Sequence, residues 1–148
     1  MGEEKYMGRY QELIETALEA RKLAYAPYSK FKVGAALLGK NGKIYKGCNV
    51  ENASYPATNC AERTAFFTAV ADGQTEFDAI AIVGGLETSE KLDVCAPCGI
   101  CRQVMMEFCD AETFEIILAK VMEGNIAAYE IYTLKELLPL GFGAANLK

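Results

Sequence analysis

The sequence contains no histidine and no tryptophan among its 148 residues. Histidine is the only side chain whose ordinary pKa lies near neutrality, and it is the commonest metal ligand in proteins. Its absence excludes catalytic triads built on imidazole and every histidine-ligated metal site. Proton transfer or metal binding must therefore use the six cysteines or the 20 aspartate and glutamate residues.

Long apolar runs and clusters of basic residues are also missing. No run of about 18 apolar residues exists, so no segment is predicted to cross a membrane. The 15 lysines and arginines are scattered and the net charge is −5, whereas proteins that track phosphate groups carry basic patches. These absences argue against membrane and nucleic-acid partners and favour a small, weakly charged molecule.

The cysteines are not needed to staple the fold. A chain of 148 residues buries roughly two thirds of the surface that its unfolded form exposes, which is enough for a core without disulfides. The opening MGEEKYMGRYQ is charged and lacks the apolar segment of a secretion signal. We therefore expect a reducing, cytoplasmic location, in which thiols are free to bind a metal.

Apolar periodicity and turn residues predict alternating helices and strands. The Asn41-Gly42 pair predicts a tight turn that joins two antiparallel strands. We expect one domain over residues 1–148, an α/β three-layer α-β-α sandwich with a mixed five-stranded sheet and helices on both faces. The predicted elements are a helix over 1–23, strands over 31–39 and 43–50, a helix over 60–73, a strand over 77–85, a helix over 98–109, strands over 113–120 and 127–134, and a short helix from 134.

Two short motifs carry the chemistry. Cys60 and Glu62 form C-x-E, and Cys98 and Cys101 form C-x-x-C. Each motif opens a predicted helix, where unpaired N–H groups and the helix dipole stabilise thiolate. Zinc prefers thiolates in a tetrahedral arrangement, and C-x-x-C is the usual bidentate half of such a site. With Cys60 as a third ligand, the fourth position stays open, as in catalytic zinc sites.

Charged neighbours of these motifs suggest further roles. Glu62 is placed to take a proton from a water at the open position, a kind of assistance that contributes about 10² to 10⁴ in rate. Three thiolates leave the site formally negative, which weakens its effect on water. Arg63 and Arg102 are placed to offset this charge by donating hydrogen bonds to the sulfurs. The alternatives are a helix-dipole partner for Glu62 and solvated helix arginines for the other two.

The remaining cysteines, Cys48, Cys95 and Cys109, are predicted to be small buried hydrophobes. Cys95 also offers a possible fourth ligand, which would close the site and abolish catalysis. A redox role for the C-x-x-C pair is disfavoured, because the pair does not follow the first strand of a βαβ unit and would leave Cys60 and Glu62 without a function.

The segments around these motifs resemble a known family, the small homotetrameric zinc-dependent cytidine deaminases of pyrimidine salvage. The resemblance runs from about Tyr28 to Phe142. It implies hydrolytic deamination of cytidine and 2′-deoxycytidine with release of ammonia, one zinc ion per subunit, and active sites completed across subunits. The matching segments are YSKFKVGAALL, GCNVENASY, CAERTA and PCGICRQ.

The resemblance also implies roles for the motif residues. Cys60, Cys98 and Cys101 correspond to the zinc ligands. Glu62 corresponds to the proton shuttle, which activates the water that attacks C4, hydrogen-bonds N3 and delivers a proton to the departing amine. Arg63 corresponds to the arginine that bonds the ligand sulfurs in members with three cysteines.

Substrate contacts are implied in the same way. The Ala61 N–H is expected to hold O2 of the base, and the Ala96 carbonyl to steer the amino group. Phe31 is expected to stack on the base, with a core position as its alternative. Asn49 and Glu51 match the pair that binds the ribose 3′-hydroxyl, with turn residues as the alternative. The other expected pocket residues are Val50, Asn52, Ala53, Ser54 and Tyr55, with Ala53 to Tyr55 reaching a neighbouring site and Phe142 lent across the interface.

Three other functions share parts of this pattern. A blasticidin-type deaminase and a nucleic-acid editor use the same metal framework, but Asn49 and Glu51 argue against the first and the acidic composition against the second. A structural zinc module that binds a protein partner would need Cys95 as a closing ligand and would leave Glu62 idle.

Overall fold

The structure is a computed structural model that describes the backbone of residues 2–148 and the side chains of residues 8–148. The first helix, predicted over 1–23, is observed from Gly2, and Met1 lies outside the described residues. Two short 3-10 turns, Tyr55–Ala57 and Ala144–Leu147, accompany the longer elements. The helices and strands are α1 (Gly2–Arg21), α2 (Ala61–Ala71), α3 (Gly99–Phe108) and α4 (Leu134–Leu137), and β1 (Phe31–Gly39), β2 (Ile44–Cys48), β3 (Phe77–Leu86), β4 (Lys91–Leu92), β5 (Glu115–Met122) and β6 (Asn125–Thr133).

The strands form one mixed sheet, as predicted. Strand β1 lies between β2 and β3 and is antiparallel to both, whereas β3 and β5 are parallel. Strand β6 runs antiparallel to β5 along its outer edge. The hairpin between β1 and β2 turns at Gly42, whose φ of +86° is one that glycine adopts without strain.

Side chains of β1 alternate between two buried layers. Ala35 and Leu37 pack in a cluster with α2 and α3, whereas Ala36 and Leu38 pack with α1 on the opposite face. The sheet therefore has α1 on one side and the other helices on the other, which confirms the three-layer α-β-α arrangement. No helix in the described part of the chain is long and apolar enough to span a bilayer.

The predicted count of five strands is wrong, because the sheet has six. The additional strand, β4, lies in a segment predicted to be a loop and pairs with Val121 and Met122 at the end of β5. A strand of two residues is too short to show any periodicity, and it forms only because β5 continues beyond its predicted end.

Close packing of α2 on the hairpin positions the first motif. A Cβ atom at Gly47 would lie 2.2 Å from the Ala61 carbonyl oxygen and 2.4 Å from the Ala65 nitrogen. Only glycine permits this approach. The first turn of α2, which follows Cys60, thus lies directly against β2.

Candidate active site

A cysteine stands at the beginning of both α2 and α3. Cys60 is the N-cap of α2 and Cys98 the N-cap of α3, each with an extended backbone and no hydrogen bond from its side chain to the helix. Cys101 lies in the first turn of α3 and is buried. The sulfurs therefore lie beside the positive ends of two helices and are not used for capping.

The three sulfurs lie close together. The Cys60 and Cys98 Sγ atoms are 3.8 Å apart, and those of Cys98 and Cys101 are 3.4 Å apart. A tetrahedral zinc ion with Zn–S bonds of about 2.3 Å requires sulfurs separated by about 3.8 Å. The spacing and the donor type of this group fit zinc.

The Glu62 carboxyl is buried beside these sulfurs, with only 5 % of the residue exposed. Burial, with a smaller contribution from the negative charge of Cys60, raises the pKa of Glu62 to about 7 against the effect of a hydrogen bond from its own backbone N–H. An acid with a pKa near neutrality can both accept and release a proton under cellular conditions.

Arg63, in the first turn of α2, contacts the cysteine group. Its Nη2 atom donates a hydrogen bond to Cys60 Sγ at 3.2 Å, while its Nε atom is buried without a partner among the described residues. A hydrogen bond from the Cys101 thiol, with smaller contributions from Arg63 and Cys98, lowers the pKa of Cys60 to about 5 against the effect of burial. Burial alone would lower the pKa of Arg63, but the bonds to Cys60 and Cys101 raise it. The Cys60 thiol therefore ionises more readily than the Cys101 thiol.

The expectation for Arg102 is wrong. Its Nε atom donates to the Pro97 carbonyl at 2.8 Å and its Nη1 atom to the Leu137 carbonyl at 2.6 Å, so its described hydrogen bonds do not go to sulfur. The side chain thus connects the loop before α3 to the end of α4. Two backbone carbonyls there satisfy a guanidinium that the sequence places one residue after Cys101.

The other cysteines lie outside the metal-binding group. Cys95 is not one of the residues whose ligand atoms lie within 4.8 Å of one another. Burial, with the charges of Glu62 and Cys60, raises the pKa of Cys95 to about 11. Burial also raises the pKa of Cys48 and of Cys109. Cys95 and Cys109 pack against the hydrophobic core, in keeping with their predicted packing role.

A second group of predicted residues surrounds the start of β1. The Asn49 side chain is buried, donates to the Phe31 carbonyl and accepts from the Val33 N–H, both at 2.8 Å. The Glu51 carboxylate accepts hydrogen bonds from the backbone N–H and the hydroxyl of Ser29. Ser29 Oγ in turn accepts from the Phe31 N–H at 3.0 Å. These hydrogen bonds therefore connect Phe31, Asn49 and Glu51, and Phe31 is 39 % exposed.

Ser29 was not recognised in the sequence. Its hydroxyl links the Glu51 carboxylate to the first residue of β1. A serine two residues before a strand commonly bonds the backbone ahead of it, and this local pattern was the available signal.

The segment after β2 is largely on the surface. Its residues Glu51, Asn52 and Tyr55, together with Tyr28, Ser29 and Thr58, line a pocket of about 370 Å³. A larger groove of about 640 Å³ is bounded by α1 and the β5–β6 turn and contains none of the predicted site residues. The exposed members of the predicted set are Phe31, Val50, Asn52, Ala53, Ser54, Tyr55, Ala96, Cys98 and Phe142, whereas Ala61 is fully buried.

Comparison with known proteins agrees with the fold and the cysteine group. The family model described as the cytidine and deoxycytidylate deaminase zinc-binding region matches residues 7–117. The chain belongs to this deaminase family. A cytidine deaminase of Sporosarcina psychrophila is 47% identical over 137 residues, which cover 93% of each chain. The crystal structure of a cytidine deaminase from Burkholderia pseudomallei has 49% identity and a TM-score of 0.77, with 89% of this chain and 98% of that chain covered.

One relative in this deaminase family has a different name. A blasticidin-S deaminase of Bacillus cereus is 33% identical over 134 residues, with 88% of this chain and 90% of the relative covered. Its identity is lower than that of the cytidine deaminases above. The relatives of this chain therefore carry names that refer to more than one substrate.

A zinc-binding deaminase requires a place for its metal. Among side chains 8–148, the only group of three or more cysteine, aspartate or glutamate ligands close enough to share an ion is Cys60, Cys98 and Cys101. The zinc of this family member thus has one candidate position in the described part of the chain.

Proposed function

We propose that this chain catalyses the hydrolytic deamination of cytidine and 2′-deoxycytidine to uridine and 2′-deoxyuridine with release of ammonia, in pyrimidine salvage. The observation that carries the proposal is the buried Glu62 carboxyl beside three sulfurs spaced for zinc. A structural zinc module would have no use for a carboxyl whose burial raises its pKa to about 7.

Cys60, Cys98 and Cys101 hold the zinc ion, one per subunit. When bound, the metal would supply Lewis acidity that lowers the pKa of the attacking water. Glu62 accepts the proton of the attacking water on a carboxylate oxygen and transfers it to N3 of the base. The same carboxyl then takes the remaining proton from the new C4 hydroxyl and delivers it to the amine, so that the C4–N bond breaks, ammonia leaves and a C4 carbonyl remains.

Backbone groups beside the motifs orient the base. Ala61 is the first residue of α2, so its N–H is not used within the helix and can donate to O2. The Ala96 carbonyl accepts from the amino group. Phe31 stacks on the base, since its ring is partly exposed while its backbone is held by Asn49 and Ser29.

The ribose is bound by Asn49 and Glu51 at its 3′-hydroxyl. The hydrogen bonds from Ser29 lower the pKa of Glu51, so the carboxylate is ionised at neutral pH and accepts from a hydroxyl. A phosphate at this position would be repelled. Val50, Asn52, Ala53, Ser54 and Tyr55 complete this wall of the pocket.

The subunit, in this proposal, is one domain over residues 1–148 that acts in the cytoplasm as a homotetramer. Large apolar side chains on α2, α3 and the C-terminal tail are exposed, among them Phe67 at 49%, Ile100 at 62% and Phe142 at 58%. In a homotetramer these side chains would be available to contact a neighbouring subunit. Ala53 to Tyr55 and Phe142 then contribute to a neighbouring subunit's pocket.

A panel of substrates tests the proposed function. Ammonia release is measured with cytidine, 2′-deoxycytidine, CMP, blasticidin S and single-stranded DNA. We expect turnover of the first two only. Preference for blasticidin S would reassign the chain to the other named activity of its family, preference for DNA would make it an editor, and no turnover of any compound would favour a structural zinc module.

Arg63 is expected to tune the charge of the site. Because hydrogen bonds to charged groups contribute about 1.5 to 3 kcal/mol, we expect Arg63→Gln to lower kcat by about tenfold to 100-fold. The acidic limb of the pH–rate profile should move to higher pH, since an uncompensated thiolate opposes charge on the attacking oxygen. Zinc content should remain that of the unaltered chain.

The matched control is Arg9→Gln, which changes an exposed arginine on α1, across the sheet. An Arg63→Gln variant with unchanged kcat and pH profile would show that the hydrogen bond to Cys60 has no catalytic effect. Loss of zinc in this variant would instead assign Arg63 to metal retention.

A further inference from the structure

The C-terminal tail, residues 138–148, folds back onto the helix that carries Cys101. Gly143 is buried, and a Cβ atom there would lie 3.1 Å from the terminal methyl of Met106 on α3. The Gly143 N–H donates to the Asn146 side chain at 2.8 Å, which holds the next turn of the tail. The tail is thus packed on α3.

The side chains of two neighbouring residues of α3, Arg102 and Gln103, donate hydrogen bonds to backbone carbonyls at Leu137 and Phe142. Arg102 donates to the carbonyl of Leu137, the last residue before the tail, at 2.6 Å. Gln103 Nε2 donates to the carbonyl of Phe142 at 2.8 Å. One hydrogen bond therefore fixes the start of the tail, and the other fixes the residue whose aromatic ring is exposed.

The hydrogen bond from Gln103 restrains the backbone of Phe142 and leaves its side chain exposed to solvent. Phe142 is 58 % exposed, so its side chain is available to another copy of the chain. A side chain that reaches a partner binds better when its backbone is already held, because less conformational entropy is lost on binding. Gln103 supplies this restraint two residues after Cys101.

We propose that Gln103 is a positioning residue for the substrate pocket of the neighbouring subunit. By holding the Phe142 carbonyl, it holds the Phe142 ring in the pocket of the next copy of this chain. The inference rests on the proposed function, in which Phe142 is lent across the interface. It adds that α3 binds the metal of one subunit and shapes the nucleoside site of another.

The first test is Gln103→Met, which keeps the side-chain length and removes the donor. Loss of one hydrogen bond should raise KM for cytidine by about twofold to tenfold. The kcat should change little, because binding shared by ground state and transition state affects KM alone. The matched control, Gln74→Met, removes a similar bond from a side-chain amide to the Glu76 carbonyl on an exposed loop and should leave KM unchanged.

The decisive test uses hybrid tetramers. The Gln103→Met chain is co-expressed with a large excess of a Glu62→Gln chain, and hybrids are purified through two different tags. The Glu62→Gln chain is expected to turn over little substrate but has an unaltered tail, so almost every active site receives its Phe142 from an unaltered neighbour. We expect KM to return to that of the unaltered enzyme. Phe142→Ala hybrids, prepared in the same way, are the reference for a residue that acts across the interface.

The outcomes separate this inference from the proposed function. A raised KM that persists in Gln103→Met hybrids, while Phe142→Ala hybrids recover, would overturn the role of Gln103 alone. An unchanged KM in the Gln103→Met homotetramer would overturn it as well. Failure of Phe142→Ala hybrids to recover would remove the shared pocket and this inference with it. Should Gln103→Met not fold, Gln103→Glu also lacks the donor at neutral pH and is tested in the same way.

Discussion

Replacement of Glu62 by glutamine is expected to lower kcat for cytidine by about 10² to 10⁴ while zinc stays bound. Glutamine has nearly the same shape but cannot accept a proton from the attacking water or deliver one to the departing amine. The zinc should remain, because its proposed ligands are the sulfurs of Cys60, Cys98 and Cys101, and the Glu62 carboxyl is not one of them. Turnover by ammonia release and zinc by atomic absorption are measured on the same sample.

Glu12→Gln is the matched control for this variant. Glu12 is an exposed glutamate on α1, which covers the opposite face of the sheet, so its replacement should change neither turnover nor zinc content. Full activity of Glu62→Gln would refute the assigned proton transfers. Loss of zinc from Glu62→Gln would instead show that the carboxyl supports the metal site.

The same variant should also change how the stability of the zinc-free protein depends on pH. Burial raises the pKa of Glu62 from 4.5 to about 7, so the folded protein binds the proton more tightly than the unfolded chain does. The contribution of Glu62 to stability therefore falls as pH rises between these two values and levels off above them. Glutamine does not titrate, so Glu62→Gln should be the more stable protein above neutral pH, by roughly 3 kcal/mol. Urea unfolding of chelator-treated samples at about pH 5 and about pH 8 measures this difference.

Local patterns predicted most of the fold. The bounds of β1 were predicted as 31–39 and are observed as Phe31–Gly39, because apolar residues and a glycine turn mark both the strand and its end. The two residues of β4 were missed, because their pairing depends on where β5 ends in space and not on their own pattern. Sequence signals thus predict elements that carry their own periodicity and miss those that depend on a distant partner.

The two arginines show the same limit within the site. Arg63 lies three residues after Cys60 on one helix, so their proximity follows from helix geometry, and the structure has the hydrogen bond. Arg102 has partners in the loop before α3 and at the end of α4, which only the folded chain brings together. Cys60 and Cys98 are 38 residues apart in the sequence, so their proximity in space could likewise be predicted only from the resemblance to a family.

Replacement of Cys101 by alanine is expected to remove the metal. Cys101 is 1% exposed and its sulfur lies 3.4 Å from that of Cys98, so no other described thiol can take its place without movement of the chain. Removal of a residue that only orients a ligand costs up to about 100-fold in metal affinity, and loss of a ligand should cost more. We expect Cys101→Ala to be purified without zinc, to be inactive, and to show a melting temperature that no longer responds to a chelator.

Cys95→Ala is the matched variant that separates an open site from a closed one. Cys95 lies in the loop before α3 and packs against the core, but it is outside the group of close sulfurs. With three ligands and an open fourth position, Cys95→Ala should keep its zinc and its deaminase activity, apart from a small loss of stability from reduced packing. Loss of zinc from Cys95→Ala would mean that four thiolates close the site, and a closed site has no position for the attacking water. Retention of zinc by Cys101→Ala would show that the metal binds elsewhere.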